Sequence, residues 1–449
     1  MSASTPTRRT VLQTAAATAA LAAPFVRGAF AAGKLSVGFW DHWVPGANDV
    51  MRSICKEWAD KEKVDLTVDF ITTQGDKLIL TAAAEAQARS GHDILTQQTW
   101  YALGHADVLE PADDLVKALE AQNGKVVAGA EYLGTLDGHW VAVPSNVGCQ
   151  TKPPCGRIDL LKQHAGLDVV KMYPAGGPPD KELADRWTWD TFLQAAEKCH
   201  KAGFPFGMPM GQSSTDATDW VGAVFASHGA QLVNEKGDVT VKSNEVKQVL
   251  EWFKKAVPFF PADVFAWDDA GNNKWLISGK GALIMNPPSA WAVAVRDARP
   301  VAEQCWTFAS PKGPKGRYEP YLPFFWGLHA FSQNKAAGKS LIMHLSSRES
   351  AEKFVAASHG YDLPPWSKLL DFKTWETEEP PKGTLYSYPP RYPDQIPSVA
   401  CAPAPKKVAN QIYAQATMTK MIARFTQQGQ SIDQAIAWAE SEIEGFMRT

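Results

Sequence analysis

Cysteine is scarce and scattered: six residues in a chain of 449 are too few for a disulfide-built scaffold, so an apolar core must stabilise the fold. Only Cys149 and Cys155 lie close enough in sequence for a local bridge, which an oxidising compartment would permit. An excess of one charge is also missing. With 45 Lys+Arg against 48 Asp+Glu and no basic stripe, the chain lacks the clustered cations that phosphate backbones require, and nucleic acid is excluded as a partner. No long apolar run is present: residues 11–26 are too short and too rich in Ala and Thr to span a bilayer, which takes about 20 apolar residues. Catalytic signatures are absent too, with neither a Gly-x-Ser-x-Gly elbow nor a His-Glu-x-x-His helix. Gly338-Lys339-Ser340 imitates the end of a phosphate loop, but Gln333 stands where its opening glycine belongs, and 334–345 reads as an ordinary surface helix. The ten histidines show no metal-ligand spacing, so no metal and no organic cofactor are expected.

What is present begins with an address. Arg8-Arg9 precede the alanine-rich stretch, and Ala29-Phe30-Ala31 supplies a small-residue cleavage site. Residues 1–31 therefore read as a twin-arginine signal, with a mature chain from Ala32 destined for the periplasm. The first cysteine is Cys55, far from the cleavage point, so no lipid anchor is expected. The leader carries Arg8, Arg9 and Arg27 and no acid, which makes the mature protein more acidic than the whole.

The body is 45% hydrophobic and long enough for two or more domains. Residues 35–40 form a β-rich run; Val50, Ile54 and Trp58 then recur at helical spacing. Residues 65–71 alternate Leu66, Val68 and Phe70, an Ala-rich helix covers 76–90, and Ile94-Leu95 opens a third strand. This strand–helix alternation predicts a parallel α/β sheet, whose ligands bind beyond the carboxyl ends of the strands. The loops at 41–46 and 97–101 fall on that edge. Asp137-Gly138 reads as a hairpin turn leading into 141–144. Farther on, Thr188 is placed to cap a helix through Cys199, residues 204–218 read as a loop ending at Asp219-Trp220, and helices follow over 221–228 and 245–257. Ser431-Ile432-Asp433-Gln434 is a capping-box pattern, followed by Ile436, Ala439, Ile443 and Phe446 on one face.

Several of these features, in their order along the chain, resemble the extracellular solute-binding proteins of family 1, the sugar-binding components of ABC importers. They are the 35–40 strand, Gly91-His92-Asp93-Ile94, Leu109-Glu110-Pro111, Trp187-Thr188-Trp189-Asp190-Thr191-Phe192, and Ser278-Gly279-Lys280-Gly281-Ala282-Leu283-Ile284-Met285 leading to Trp291. The resemblance implies an α/β two-lobed clamshell with discontinuous lobes, a central ligand cleft and a membrane permease as partner. Lobes of 32–145 plus 302–356 and 146–301 plus 357–449 are expected. Where the family often has Tyr-Tyr-Asn after the Pro144 position, this chain reads Ser145-Asn146-Val147.

Tryptophan chemistry points the same way. Pyranose faces pack on flat aromatic rings, while hydroxyls need convergent donors and acceptors. Seventeen Trp exceed what a core needs. The expected ligand contacts are Asp41, Trp43, Gln98, Trp100, Asn146, Asp216, Trp220, Asn286, Trp291 and Trp326, whereas Trp58, Trp252 and Trp438 lie on helical faces and read as core. The acids among them have a plainer reading as helix caps. The expected protein is a monomeric, non-enzymatic periplasmic binder of a neutral mono- or oligosaccharide. Two alternatives stand beside it: a secreted glycosidase or lyase using a carboxylate pair, or a binder of an anionic solute, for which Arg157 and Arg391 are the arginines to watch.

Overall fold

A computed structural model describes residues 33–174, 177–212, 215–286, 288–380, 388 and 394–448. The expected leader and Arg391 lie outside these residues. Strand Lys34–Trp40 pairs in parallel with Asp65–Ile71, in register from Lys34 opposite Asp65 to Trp40 opposite Ile71, and with Ile94–Gln98 on its other side. It is the inner strand of the three and is buried on both faces, which is why 35–40 carries almost no polar side chain. Asp65–Ile71 is the sheet's edge and alternates exposed and half-buried residues accordingly. Gly38 keeps the neighbouring strands close: a Cβ there would meet Leu95 Cδ1 at 2.6 Å.

The sheet is completed from far along the chain. Phe324–Leu328 inserts antiparallel beside Ile94–Gln98, and Val143–Pro144 pairs with it in turn. Helix Ala47–Glu62 covers one face through Met51, Ile54, Cys55 and Trp58. Helix Lys77–Ala88 and the Thr135–Leu136/His139–Trp140 hairpin follow, with Asp137 and Gly138 both at positive φ as a tight hairpin turn demands. In the rest of the chain, Pro154–Arg157 is flanked by Leu283–Met285 and Cys305–Thr307, all antiparallel. A further ribbon joins Gly316–Leu322 to Gln395–Ser398 and to Gln150–Thr151.

Helix starts follow their side-chain chemistry. Thr188 closes a capping box with Thr191 at the head of Trp189–Lys201, and Ser431 does so with Gln434 at the head of Ile432–Met447. Two expectations are corrected. The helix placed at 221–228 starts at Thr215, so Asp216, Asp219 and Trp220 sit on its first turns and not in a loop. Lys335–Leu345 is no ordinary surface helix, because Gly338, Leu341, Ile342 and Leu345 are buried and Trp58 Nε1 donates to Ser340 Oγ at 3.2 Å. The Cys149–Cys155 bridge that the spacing would permit is not formed. All six cysteines are free; Cys149 Sγ instead contacts the Ser145 carbonyl oxygen at 3.0 Å. Among the described residues no helix is long and apolar enough to cross a membrane.

Glu319, fully buried in strand Gly316–Leu322, gives this fold a measurable pH dependence. Burial pushes its carboxyl up to about 8, although the Ser310 N–H and hydroxyl both donate to it. A folded-state value above the ordinary 4.5 means that the protonated acid favours the fold. Its contribution is full below the ordinary value and is lost as pH rises through the raised one. Urea denaturation of Glu319→Gln should therefore show a flatter fall of stability from about pH 4.5 to 8 than the parent; parallel curves would refute the assignment.

Candidate functional site

Lys152 follows the short Gln150–Thr151 strand, its backbone N–H held by the Pro320 carbonyl at 2.9 Å. Only 1% exposed, it places Nζ 2.6 Å from Asp216 Oδ1 and 2.6 Å from Asp219 Oδ2. The two acids are three residues apart and so share one face of helix Thr215–His228, at its N-terminal end, where the helix dipole favours negative charge. The remaining oxygens are also engaged. Asp219 Oδ1 accepts from the Tyr413 hydroxyl at 3.0 Å, and Asp216 Oδ2 accepts from Asn272 Nδ2 at 2.9 Å and Asn286 Nδ2 at 3.4 Å. Asp269 caps the same helix, accepting from Thr215 Oγ1 at 3.0 Å and the Asp216 N–H at 3.2 Å.

Burial opposes the Lys152 ammonium, but Asp216, Asp219 and Asp269 outweigh it and hold its pKa above the usual lysine value. Asp219 titrates above the ordinary carboxylate range because burial exceeds the help Lys152 gives. Tyr101 is raised to about 12 by burial, reinforced by Asp76 and Asp269.

Asp216 and Asp269 line an inner pocket of about 20 Å³, roughly one water in size, with Lys152 and Asp219 buried behind them. From the amino-terminal sheet come Trp40, Trp43, Thr73 and Gln98; facing them are Gln150, Thr215, Asp216, Asp269, Asn273, Asn286 and Ser289, with Phe324 and Tyr361 alongside. Four lining atoms are buried and have no hydrogen-bond partner among the described residues: Trp40 Nε1, Thr73 Oγ1, Gln98 Oε1 and Gln150 Oε1. Buried polar groups are nearly always paired, so four orphans around one small space mark a place that expects polar company. An outer trough of about 680 Å³ shares Thr215 with the inner pocket and runs past Asp76, Leu80, Tyr101, Trp267, Tyr413 and Lys420.

The loop 41–46 is fixed from beneath. His42 Nδ1 accepts from the Val44 N–H at 2.9 Å, and Nε2 lies 3.2 Å from Asp362, whose other oxygen takes the Gly148 N–H at 2.7 Å. The His42 ring packs 4.4 Å from that of Trp40, so this buried pair positions an aromatic wall.

Of the ten expected contacts, the structure brings Trp43, Gln98, Asp216 and Asn286 to the inner pocket. The other six lie elsewhere. Asp41 is exposed and spends its carboxylate on Asn48 at 2.6 Å in a local turn. Asn146 donates to the Leu345 carbonyl at 3.2 Å inside the core. Trp100, fully buried, donates to the Ala400 carbonyl at 3.1 Å and meets Tyr132 edge to face. Trp220 donates to the Pro209 carbonyl at 2.7 Å amid Phe253 and Phe260. Trp291 donates to the Pro380 carbonyl beside His359, and Trp326 packs in the core from a strand between Thr96 and Val143. For Asp41 a neighbouring amide, and for the other five a carbonyl or a sheet neighbour, takes the place intended for a guest. Sequence reading passed over Thr73, Gln150, Thr215, Asp269, Asn273, Ser289 and Tyr361. The polar cluster Asp268-Asp269-Ala270-Gly271-Asn272-Asn273 at the start of helix Gly271–Ile277 was the available signal. Among the described residues no group of three or more His, Cys, Asp or Glu is arranged to hold a metal.

A two-lobed α/β body with a polar and aromatic cleft is the architecture of a binding protein. Residues 56–380 match the family model described as bacterial extracellular solute-binding protein, and the chain belongs to that family. Its members bind substrates and are not enzymes. A probable ABC transporter-binding protein of Deinococcus radiodurans is 27% identical over 230 residues, 49% of this chain; the match spans about half the length of that relative, 52%. Among solved structures, maltose-bound MalE3 of T. maritima superposes with a TM-score of 0.73 at 17% identity, over 92% of this chain and 99% of that one. A sugar transporter of Arthrobacter chlorophenolicus A6 with bound laminaribiose gives 0.70 at 13% identity, over 92% and 99%. At such identities the likeness establishes the two-lobed fold.

Removing the cation tests how much the site wall depends on it. Lys152→Met leaves buried carboxylates uncompensated and should cost about 3–5 kcal/mol in denaturant unfolding. A loss below about 1 kcal/mol would show that the acids do not need Lys152.

Proposed function

We propose that this chain is the ligand-capturing component of an ABC importer, exported to the periplasm by a twin-arginine signal, and that it binds a carbohydrate as a monomer. One observation carries this reading: orphaned donors and acceptors from four separate segments of the chain meet among aromatic side chains in one pocket. Hydroxyls supply the missing partners, and the rings of Trp40, Trp43 and Tyr361 supply apolar surface for a pyranose face. Solved neighbours with maltose and with laminaribiose bound lend support.

Capture then works by differential contact. Thr73 and Gln98 lie on one side of the pocket, Gln150, Asp216 and Asn286 on the other, so a guest touching both favours the closed arrangement. The closed form would dock on a membrane permease and release its cargo there. For the lobes expected at 32–145 plus 302–356 and 146–301 plus 357–449, we move two crossings. Strand Cys305–Thr307 pairs with Pro154–Arg157 and so goes with the second lobe; residues 365–368 hydrogen-bond to Asn123, Lys125 and Val127 and so go with the first.

A thermal-shift screen of the purified protein over mono- and oligosaccharides should show saturable stabilisation by at least one sugar without turnover. Trp43→Ala and Asn286→Ala should each weaken that sugar by about tenfold or more while leaving the circular dichroism unchanged. No response across the panel would overturn the carbohydrate reading.

A further inference from the structure

Three parts of the chain wall the outer trough: the start of helix Lys77–Ala88 together with Tyr101, the start of helix Thr215–His228 together with residues 265–267, and residues 413–415 with Lys420. At about 680 Å³ it has the size of a site for a small-molecule guest, where the inner pocket holds about one water. The two spaces are joined through shared groups. Thr215 lines both, and one short turn puts Thr73 on the inner pocket and Asp76 on the trough. The Tyr101 phenol feels the carboxylates of both Asp76 and Asp269, one from each space. A guest that reaches the inner orphans with one end therefore has the trough for the rest of its body.

Asp76 is unusual for a helix start. It stands just before Lys77–Ala88, where an aspartate ordinarily turns its carboxylate onto the first free N–H groups, yet it makes no such bond. The Leu78 N–H goes to the Thr72 carbonyl at 3.1 Å instead. Gly75 and Asp76 follow one another at φ of 63° and 59°, a left-handed pair that costs energy at the aspartate. Among the described residues no hydrogen bond or ion pair reaches the Asp76 carboxylate, which is half-buried on the trough and is held above its ordinary pKa by that burial. A strained backbone whose acceptor is withheld from its own helix and given to a cleft fits a residue kept for a guest.

Trp267 supplies the other half of a sugar contact. Its side chain is half-buried, backed by Trp275 with ring centroids 5.6 Å apart and by Gly271, where a Cβ would strike it at 2.7 Å. What remains uncovered lines the trough. A flat ring and a carboxylate on one space suit a pyranose, whose C–H face packs on the indole while adjacent hydroxyls donate to the two carboxylate oxygens. Lys420 lines the same trough without an ion pair among the described residues, so a hydroxylated guest there meets a donor as well as an acceptor.

We propose that the outer trough is a second sugar subsite, in which Asp76 accepts from adjacent hydroxyls and Trp267 packs on the ring, so that the guest is an oligosaccharide and not a monosaccharide. This rests on the carbohydrate reading and adds to it a minimum length and the two residues that set it.

The test is isothermal titration of the mature protein with glucose, mannose and xylose, with their β-1,4-linked dimers and trimers, and with maltose, maltotriose, laminaribiose and laminaritriose. In the series that binds, the dimer or trimer should bind tighter than its monosaccharide by about tenfold or more. Asp76→Asn, which keeps a residue tolerant of positive φ, and Trp267→Ala should each cost about tenfold or more of the oligomer affinity. Both should leave the melting temperature and the monosaccharide affinity nearly unchanged. A monosaccharide bound as tightly as its trimer overturns the second subsite and leaves the carbohydrate reading standing, as does a preference for the longer chain that survives both substitutions. Silence from every sugar overturns both.

Discussion

The Lys152 ammonium, locked between Asp216 and Asp219, is the constraint on which the rest of the cleft depends. Taking three charges out of water is costly, and the cost is met by close geometry and by further hydrogen bonds to the leftover oxygens. That requirement reaches outward: it fixes the segment entering Pro154–Arg157, sets the rotation of helix Thr215–His228, and draws in Tyr413 from helix Lys406–Ala414 and the three asparagines Asn272, Asn273 and Asn286. One charge thus organises four distant pieces of chain. The opposite wall has a smaller counterpart in His42 and Asp362, which hold the end of the first strand and carry Trp40 with it.

The first sheet was plain in the amino-acid pattern because its signals are local and strong. A doubly buried strand must be apolar throughout, an edge strand must alternate, and Thr188 and Ser431 advertise their helices through side chains that complete the first turn. The start of helix Thr215–His228 was not plain, since Gly211, Gln212 and Thr215 look like loop composition, and tertiary bonds from Asp269 overrule propensity there.

The pocket was only partly legible for a related reason. Trp43, Gln98, Asp216 and Asn286 stand beside polar residues at element ends, and such positions face a cleft. Trp100, Trp220 and Trp291 stand in similar company, yet each indole N–H finds a backbone carbonyl, which no linear pattern announces. Thr73, Gln150 and Tyr361 are unremarkable in sequence and matter only because three distant segments converge.

One further consequence follows from strand Phe324–Leu328 lying between Ile94–Gln98 and Val143–Pro144. During synthesis the first sheet stays unfinished until residue 328 has left the ribosome, by which time residues 146–301 of the second lobe have already emerged. Order of translation and order of assembly are out of step, and the gap where that strand belongs is an unpaired edge open to wrong partners. A secretion route that moves only finished proteins, or a chaperone that covers the edge meanwhile, is the natural companion of such a topology.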